Sequence, residues 1–399
     1  MEKFRRILAF LMGASIAFES LAINLFGRNF SVGFIFSGLY LLSILPLFFS
    51  KFSLLINKYG FLVSMPLLFI ALLTSMNVLY YDSSYSIPVF NSTIFFCYIL
   101  FISVLLHLFS DLKVFNSILS GIALGVTLLS LMYYLGFGVD VISEEERLFL
   151  FGRNPNELGV LSCIALDVII YNWIIMDEFH IGKIRFVLIL LILPLINILM
   201  ATASRTALIV LCMSFIVLVL TYQCSYYLKF FVLILGCFLF VLISIVIMES
   251  DTLMAKRFAE TLEGGNTSGR TDIWMSLLPF FFENPFWGVG EIGYVEISSR
   301  ALLMSWQKDS LIRGYSPHNE VIAVLLYTGI MGGICMISFW VRIFFTAIKN
   351  FFLLDNVLCL LLLIPIFISI FTAQALGVKI IWIMYALVIF NFEENYNLD

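Results

Sequence analysis

Charge is scarce in this sequence. Asp, Glu, Lys and Arg together make up 12% of its 399 residues, and it holds three histidines and nine prolines. A soluble domain carries about a quarter of its residues as charges, so a water-exposed surface could not be built from this supply. The net charge of −4 offers no basic field, and no nucleic-acid partner is expected. Seven cysteines are present (97, 163, 212, 224, 237, 335, 359). None forms a Cys-x-x-Cys or Cys/His cluster, so they read as buried thiols and not as metal ligands. There is no glycine-rich phosphate loop, no Asp-x-Asp pair, no zinc spacing, no internal repeat and no low-complexity tract. No cofactor is expected.

What fills the chain is apolar. Hydrophobic residues reach 62%, mean hydropathy is +1.07, and phenylalanine alone accounts for 42 positions. A bilayer span needs about 20 apolar residues. That rule predicts helices at roughly 7–26, 30–50, 60–80, 92–110, 116–136, 156–176, 186–203, 205–223, 230–248, 319–341, 351–371 and 374–391. Met1-Glu2-Lys3-Phe4-Arg5-Arg6 resembles a basic leader, but no small-residue cleavage site follows it. The first segment therefore reads as an anchor. The expected fold is all-α: a polytopic integral membrane protein of about 12 transmembrane helices. It forms a single polytopic membrane domain over 1–399, with an embedded loop over 249–318.

Lys and Arg set the orientation. With the N-terminus inside, Lys3, Arg5, Arg6, Lys51, Lys58, Lys113, Lys183, Arg185, Lys229, Arg342 and Lys349 fall on the cytoplasmic side. Short outer loops hold only Arg28, Arg147, Arg153, Arg205 and Lys379. Eleven cations against five favour cytoplasmic termini and an external 249–318 loop. Glu19 reads as the clearest acid within a span.

Four polar clusters interrupt the apolar background, all on the outer side in this topology. In Arg153-Asn154-Pro155-Asn156-Glu157, Asn154 can cap a helix, Pro155 suits its first position and Glu157 the capping-box position. Arg153 is left unexplained by capping. In Thr202-Ala203-Ser204-Arg205-Thr206, Ser204 or Thr202 can cap the next helix. Arg205 then sits in its first turn, where a cation opposes the helix dipole and suggests an anionic ligand. In Ser268-Gly269-Arg270-Thr271-Asp272-Ile273-Trp274, Arg270 again opens a helix. Leu277 to Phe282 suggest a helix on or in the membrane surface, followed by Asn284-Pro285-Phe286-Trp287-Gly288-Val289-Gly290. In Ser316-Pro317-His318-Asn319-Glu320, Ser316 as cap and Pro317 at the first position would put His318 in the first turn. There the helix dipole disfavours imidazolium and leaves a base near neutral pH. Gly329, Gly332 and Gly333 allow close packing.

In their order these clusters resemble the O-antigen ligase/polymerase superfamily of bacterial envelope glycan assembly. The resemblance covers about residues 150–340. It rests on the Asn154-Pro155-Asn156 start, Ser204-Arg205-Thr206-Ala207-Leu208, Gly269-Arg270-Thr271-Asp272-Ile273-Trp274, the Asn284–Gly290 run, and His318-Asn319 nine residues ahead of Gly329. It implies a GT-C-like, metal-independent membrane glycosyltransferase of the bacterial inner membrane, with its active site facing the periplasm. Its donor would be an undecaprenyl-diphosphate-linked oligosaccharide. Other implied partners are membrane lipids and a chain-length-regulating co-polymerase. His318 is then the candidate general base, and Arg205 and Arg270 the candidate diphosphate ligands. Arg153, Asn154, Asn156, Asn319, Trp274 and Tyr294 are candidate substrate contacts. Trp287 and Trp306 read as interfacial anchors or sugar platforms. Three functions stay open: O-antigen polymerase, favoured by the Phe-rich first half; ligase to lipid A-core; and a lipid-linked glycan flippase. The last is disfavoured because the polar groups gather at one face and not at the midplane. Arg205, Arg270 and His318 are expected around one cavity.

Overall fold

In the computed structural model the described residues are 1–25, 28–80, 89–140, 148–151, 153–177, 180, 182–248, 270–302, 317–354, 356–373 and 375–390. Among them the chain is almost wholly helical. The helices are α1 (Glu2–Ser15), α2 (Val32–Leu79), α3 (Val89–Ser110), α4 (Lys113–Tyr134), α5 (Pro155–Asp167), α6 (Ile192–Ala201), α7 (Arg205–Thr221) and α8 (Tyr226–Met248). There follow α9 (Arg270–Glu283), α10 (Gly290–Leu302), α11 (Glu320–Leu354), α12 (Val357–Thr372) and α13 (Lys379–Ile389). A π-helix, Val168–Ile175, continues α5, and a 3₁₀ run, Gly182–Leu191, leads into α6. Two short antiparallel hairpins complete the set. β1 (Ala22–Leu25) pairs with β2 (Arg28–Ser31), and β3 (Val139–Asp140) with β4 (Phe149–Leu150).

Five helical stretches are long and apolar enough to cross a bilayer: Val32–Leu79, Asn91–Ser110, Lys113–Tyr134, Pro155–Ile175 and Glu320–Leu353. Shorter apolar helices accompany them. This is an integral membrane protein by length and composition. Four expected spans take another form. The first stops early: α1 ends in a 3₁₀ turn, Ile16–Phe18, and the chain turns into the β1–β2 hairpin. Glu19 is thus not mid-helix. Its carboxylate accepts from Ser31 Oγ at 3.1 Å, and polar residues at 19, 20, 24, 28 and 29 give the segment no apolar continuation. The expected segments 30–50 and 60–80 form one helical stretch broken at Tyr59 (φ −121°, ψ 22°). Lys58 lies 5.3 Å from the Phe109 ring at that break. The last, α13, has only 11 residues, or about 16 Å at helical rise, too short for the hydrocarbon layer. Every one of its residues is buried, so the lipid-length rule that predicted it does not apply.

The chain divides into two compact units that alternate along the sequence. Unit 1 is Met1–Leu45, Asp111–Asn266 and Asn350–Pro365; unit 2 is Pro46–Ser110, Thr267–Lys349 and Ile366–Asp399. In unit 1, α1 and α4 run parallel and nearly touch. A Cβ on Gly121 would meet the Phe10 carbonyl at 2.2 Å, and one on Gly125 the Ala14 carbonyl at 2.3 Å. This small-xxx-small face lets the backbones meet where apolar side chains would gain nothing over lipid. Arg6 pairs with Asp111 at 2.6 Å where both helices begin. In unit 2 the phenylalanine excess finds its use. Phe101, Phe339 and Trp382 interlock at 5.8–6.2 Å, and Trp340 donates to Tyr385 at 3.0 Å. Such ring pairs contribute about 0.5–1.5 kcal/mol each beyond burial.

Candidate functional site

In unit 1 the first two polar clusters meet. Asn154 caps α5, accepting from Asn156 N at 2.9 Å, with Pro155 at the first position. Ser204 caps α7, accepting from Ala207 N at 3.3 Å. Both caps were legible in the sequence. Ser204 Oγ also donates to Asn156 Oδ1 at 3.1 Å. The two helix starts are drawn together because Gly159 has no side chain: a Cβ there would meet Ala207 Cβ at 2.7 Å. Arg205, half-buried, is the first residue of α7. Before it Ala203 is held at φ +47°, a left-handed conformation costing a non-glycine residue about 1 kcal/mol or more.

Arg153 stands apart from Arg205. It is 5% exposed, and its Nη1 donates to the carbonyls of Ile16 and, at 3.3 Å, Ala17. Its Nε lies 3.7 Å from Glu157. Glu157 thus faces Arg153 (i,i+4), a partner that capping alone did not predict. Burial pulls the Arg153 pKa down, while Glu157 and Glu19 favour its charge. The guanidinium fastens the end of α1 and its 3₁₀ turn to the start of α5. Carbonyls at a helix C-terminus are the natural partners of a cation.

In unit 2 the third and fourth clusters meet. Trp274 Nε1, one turn into α9, donates to the Pro317 carbonyl at 2.7 Å. Arg270 opens the same helix and lies close enough to His318 to act on its protonation. The helix that follows begins later than the sequence suggested. Its first residue is Glu320, and Asn319 Oδ1 is the cap, accepting from Ile322 N at 3.2 Å. His318 therefore precedes α11 instead of sitting in its first turn, at φ +47°. Ser316, the expected cap, lies outside the described residues, as do Gly152, Trp306 and most of the 249–318 loop's charged residues. The sequence assigned a lowered His318 basicity to the helix dipole; the structure gives other causes. Burial draws the His318 pKa down first, and the Arg270 cation adds to it.

Two features supporting this corner were missed by sequence reading. Glu320 is fully buried, and its carboxylate accepts from Ala375 N and, at 3.1 Å, Leu376 N, tying the start of α11 to the turn before α13. The Asn284–Gly290 run also has a backbone role. Helix α11 breaks at Gly329 (φ +61°), and the freed groups bond to this run: Ile330 N to Pro285 O at 2.8 Å, Met331 N to Phe286 O at 3.2 Å, and Val289 N to Leu326 O at 3.0 Å. A Cβ on Gly329 would lie 2.3 Å from Phe286 C. Non-helical backbone inside a membrane segment requires such satisfaction. Asn77 of α2 completes the frame, accepting from Glu291 N at 2.7 Å to cap α10.

Tyr294 stacks edge-on with Tyr327 at 5.1 Å and is 3% exposed, a core position whose burial pushes its phenol pKa up. Trp287 is about half exposed. Unit 1 also carries a buried acid that sequence reading passed over. Asp167, 2% exposed in the α5 span, accepts from Ser214 Oγ at 2.9 Å.

A family model described as O-Antigen ligase matches residues 187–337. The match supports the resemblance to the O-antigen ligase/polymerase superfamily. It contains Arg205, Arg270, Trp274, Tyr294, His318 and Asn319, and begins after the Arg153–Asn156 cluster. No curated protein matches the chain.

Proposed function

We propose that this chain is an inner-membrane glycosyltransferase that joins undecaprenyl-diphosphate-linked repeat units on the periplasmic face, an O-antigen polymerase. The observation that carries this reading is the pairing of Arg270 with a half-buried, neutral-biased His318 at the head of α11, inside the family-matched segment. His318 accepts the proton of an acceptor hydroxyl as that oxygen attacks the anomeric carbon of the donor. The bond from that carbon to the diphosphate breaks, and Arg270 and Arg205 stabilise the charge gathering on the leaving group. Guanidinium suits this task because it offers two parallel donors to phosphate oxygens. The reaction uses no metal and no cofactor. Trp274, braced by the Pro317 carbonyl, and Asn319, next to the base, are the side chains best placed to orient glycan. Asn154 and Asn156, at the start of α5 beside Ser204, are proposed contacts for donor glycan; Arg153 holds the frame of that unit and Tyr294 that of the other. A chain-length-regulating co-polymerase is a proposed partner.

A second reading has its own support. The matching family model is described as O-Antigen ligase, which favours transfer to lipid A-core. The experiment supplies purified lipid-linked repeat units to purified protein with chelator present, with and without lipid A-core. Chain growth on repeat units alone is the expected result. Product only on lipid A-core makes the protein a ligase. Loss of all activity with chelator removes the metal-independent mechanism. Cross-linking between Arg205→Cys and His318→Cys tests whether both serve one donor. Labelling of Gly265→Cys in intact spheroplasts tests the orientation.

A further inference from the structure

Unit 1 has a second polar region at the opposite end of its helices from Arg205. Helices α5 and α7 run parallel. Gly159 meets Ala207 near one end, Asp167 meets Ser214 midway, and the far ends frame a partly open cavity of about 520 Å³. Its walls are apolar at Ile175, Met176, Leu218 and Val357, and polar at Thr221 and Gln223. Tyr171, Tyr222 and Phe351 add aromatic surface. One wall is the π-helix Val168–Ile175, whose wide turn places Tyr171 and Ile175 on the lining. Such insertions are rare and concentrate at functional positions.

Two cations sit at the rim. Arg185 Nη1 donates to the Ile175 carbonyl at 3.3 Å, and Ile175 lines the cavity. Lys229 Nζ donates to the Leu220 carbonyl at 2.6 Å, one residue before the lining Thr221. Lys183 is exposed on the same connection as Arg185. Asp177, 3.9 Å from Arg185, offsets part of this charge. Among the described residues the rim holds three cations against one acid, while much of the lining is apolar.

We propose that this cavity is a binding site for one acidic phospholipid in the leaflet remote from Arg205. The head-group phosphate sits between Arg185 and Lys229, with the Tyr222 hydroxyl and Gln223 amide as further donors. The first part of an acyl chain lies along Ile175, Leu218 and Val357. The cavity suits a head group and the start of its chains, since ligand sites commonly measure about 300–1,000 Å³. A free phosphate would leave the apolar wall unused, and a zwitterionic lipid would leave the rim charge unmatched.

The test is native mass spectrometry of the full-length protein, released from nanodiscs holding equal phosphatidylglycerol and phosphatidylethanolamine. The expected result is one phosphatidylglycerol retained per chain at roughly tenfold preference, lost in Arg185→Gln/Lys229→Gln. Leu218→Trp, which fills the cavity and leaves the rim cations in place, should also abolish retention. Equal retention of both lipids, or retention unchanged in both variants, overturns the proposal and reduces the rim to ordinary lipid contact. Inorganic phosphate displacing the lipid at millimolar concentration overturns it too, since the acyl wall would then contribute nothing. Lipid retention is read without turnover, so it stands or falls apart from the transferase reading.

Discussion

The starts of α5 and α11 look alike in sequence and differ in the folded protein. Each opens with an asparagine cap, and each has a basic residue just before that cap. At α5 the basic residue is Arg153, sunk to 5% exposure and committed to carbonyls of a neighbouring helix end. At α11 it is His318, half-buried, in left-handed backbone, under the influence of Arg270. A buried cation satisfied by carbonyls holds structure. A half-buried base kept neutral by burial and a nearby cation is suited to proton transfer. The start of α7 differs from both: Ala203, two residues before Arg205, adopts left-handed backbone.

The largest effect that would sharpen this comparison is on turnover. His318→Ala should lower transfer by about 10²–10⁴-fold, with protein level and donor binding retained. Full activity would remove the general base. Next in size is Gly329→Ala. The added Cβ would press into the Phe286 backbone at positive φ, so stability should drop by about 2–4 kcal/mol. A detergent-phase melt at the wild-type temperature would show that the break in α11 is not fixed by Gly329.

Arg153→Gln bears on the comparison itself. Losing charged hydrogen bonds to buried carbonyls should cost about 1.5–3 kcal/mol of stability, while turnover per folded molecule holds. Lost turnover at unchanged stability would return Arg153 to the substrate contacts. Arg270→Lys keeps the charge and loses the two-pronged geometry. A roughly tenfold fall in transfer is expected, through donor engagement. Arg270→Gln carries a pH signature with a fixed sign. The Arg270 cation lowers the His318 pKa, so removing it raises that pKa and moves the acid limb of the rate profile to higher pH. An unmoved limb would separate the two residues. The smallest effect is at the cap: Asn319→Ala should cost about 1 kcal/mol, measured by thermal unfolding.

Much of this was readable before any coordinates. Asn154-Pro155 and Ser204 announce helix starts because a capping side chain and a proline act within one turn, and both were found as caps. Pro317 misled for the same local reason. It suggested a helix beginning there, but His318 adopts positive φ and Asn319 takes the cap. Nothing within a few residues encodes that choice. It is made where Trp274 holds the Pro317 carbonyl and Glu320 holds the turn at 375–376.

By itself the sequence determined a membrane protein, because a chain with 12% charge and 62% apolar residues cannot cover itself with polar groups in water. It also marked where polar clusters interrupt the apolar background, and each unpaired polar group in hydrocarbon costs several kcal/mol, so such clusters call for partners. Only the tertiary structure decided what each polar residue does. It turned the Asn284–Gly290 run into the backbone partner of a broken helix. It made Arg153 a fastener, and it put Arg270 beside His318. Hydrogen-bond partners and charges act over a few ångströms of space, whatever their separation along the chain, and folding alone sets that proximity.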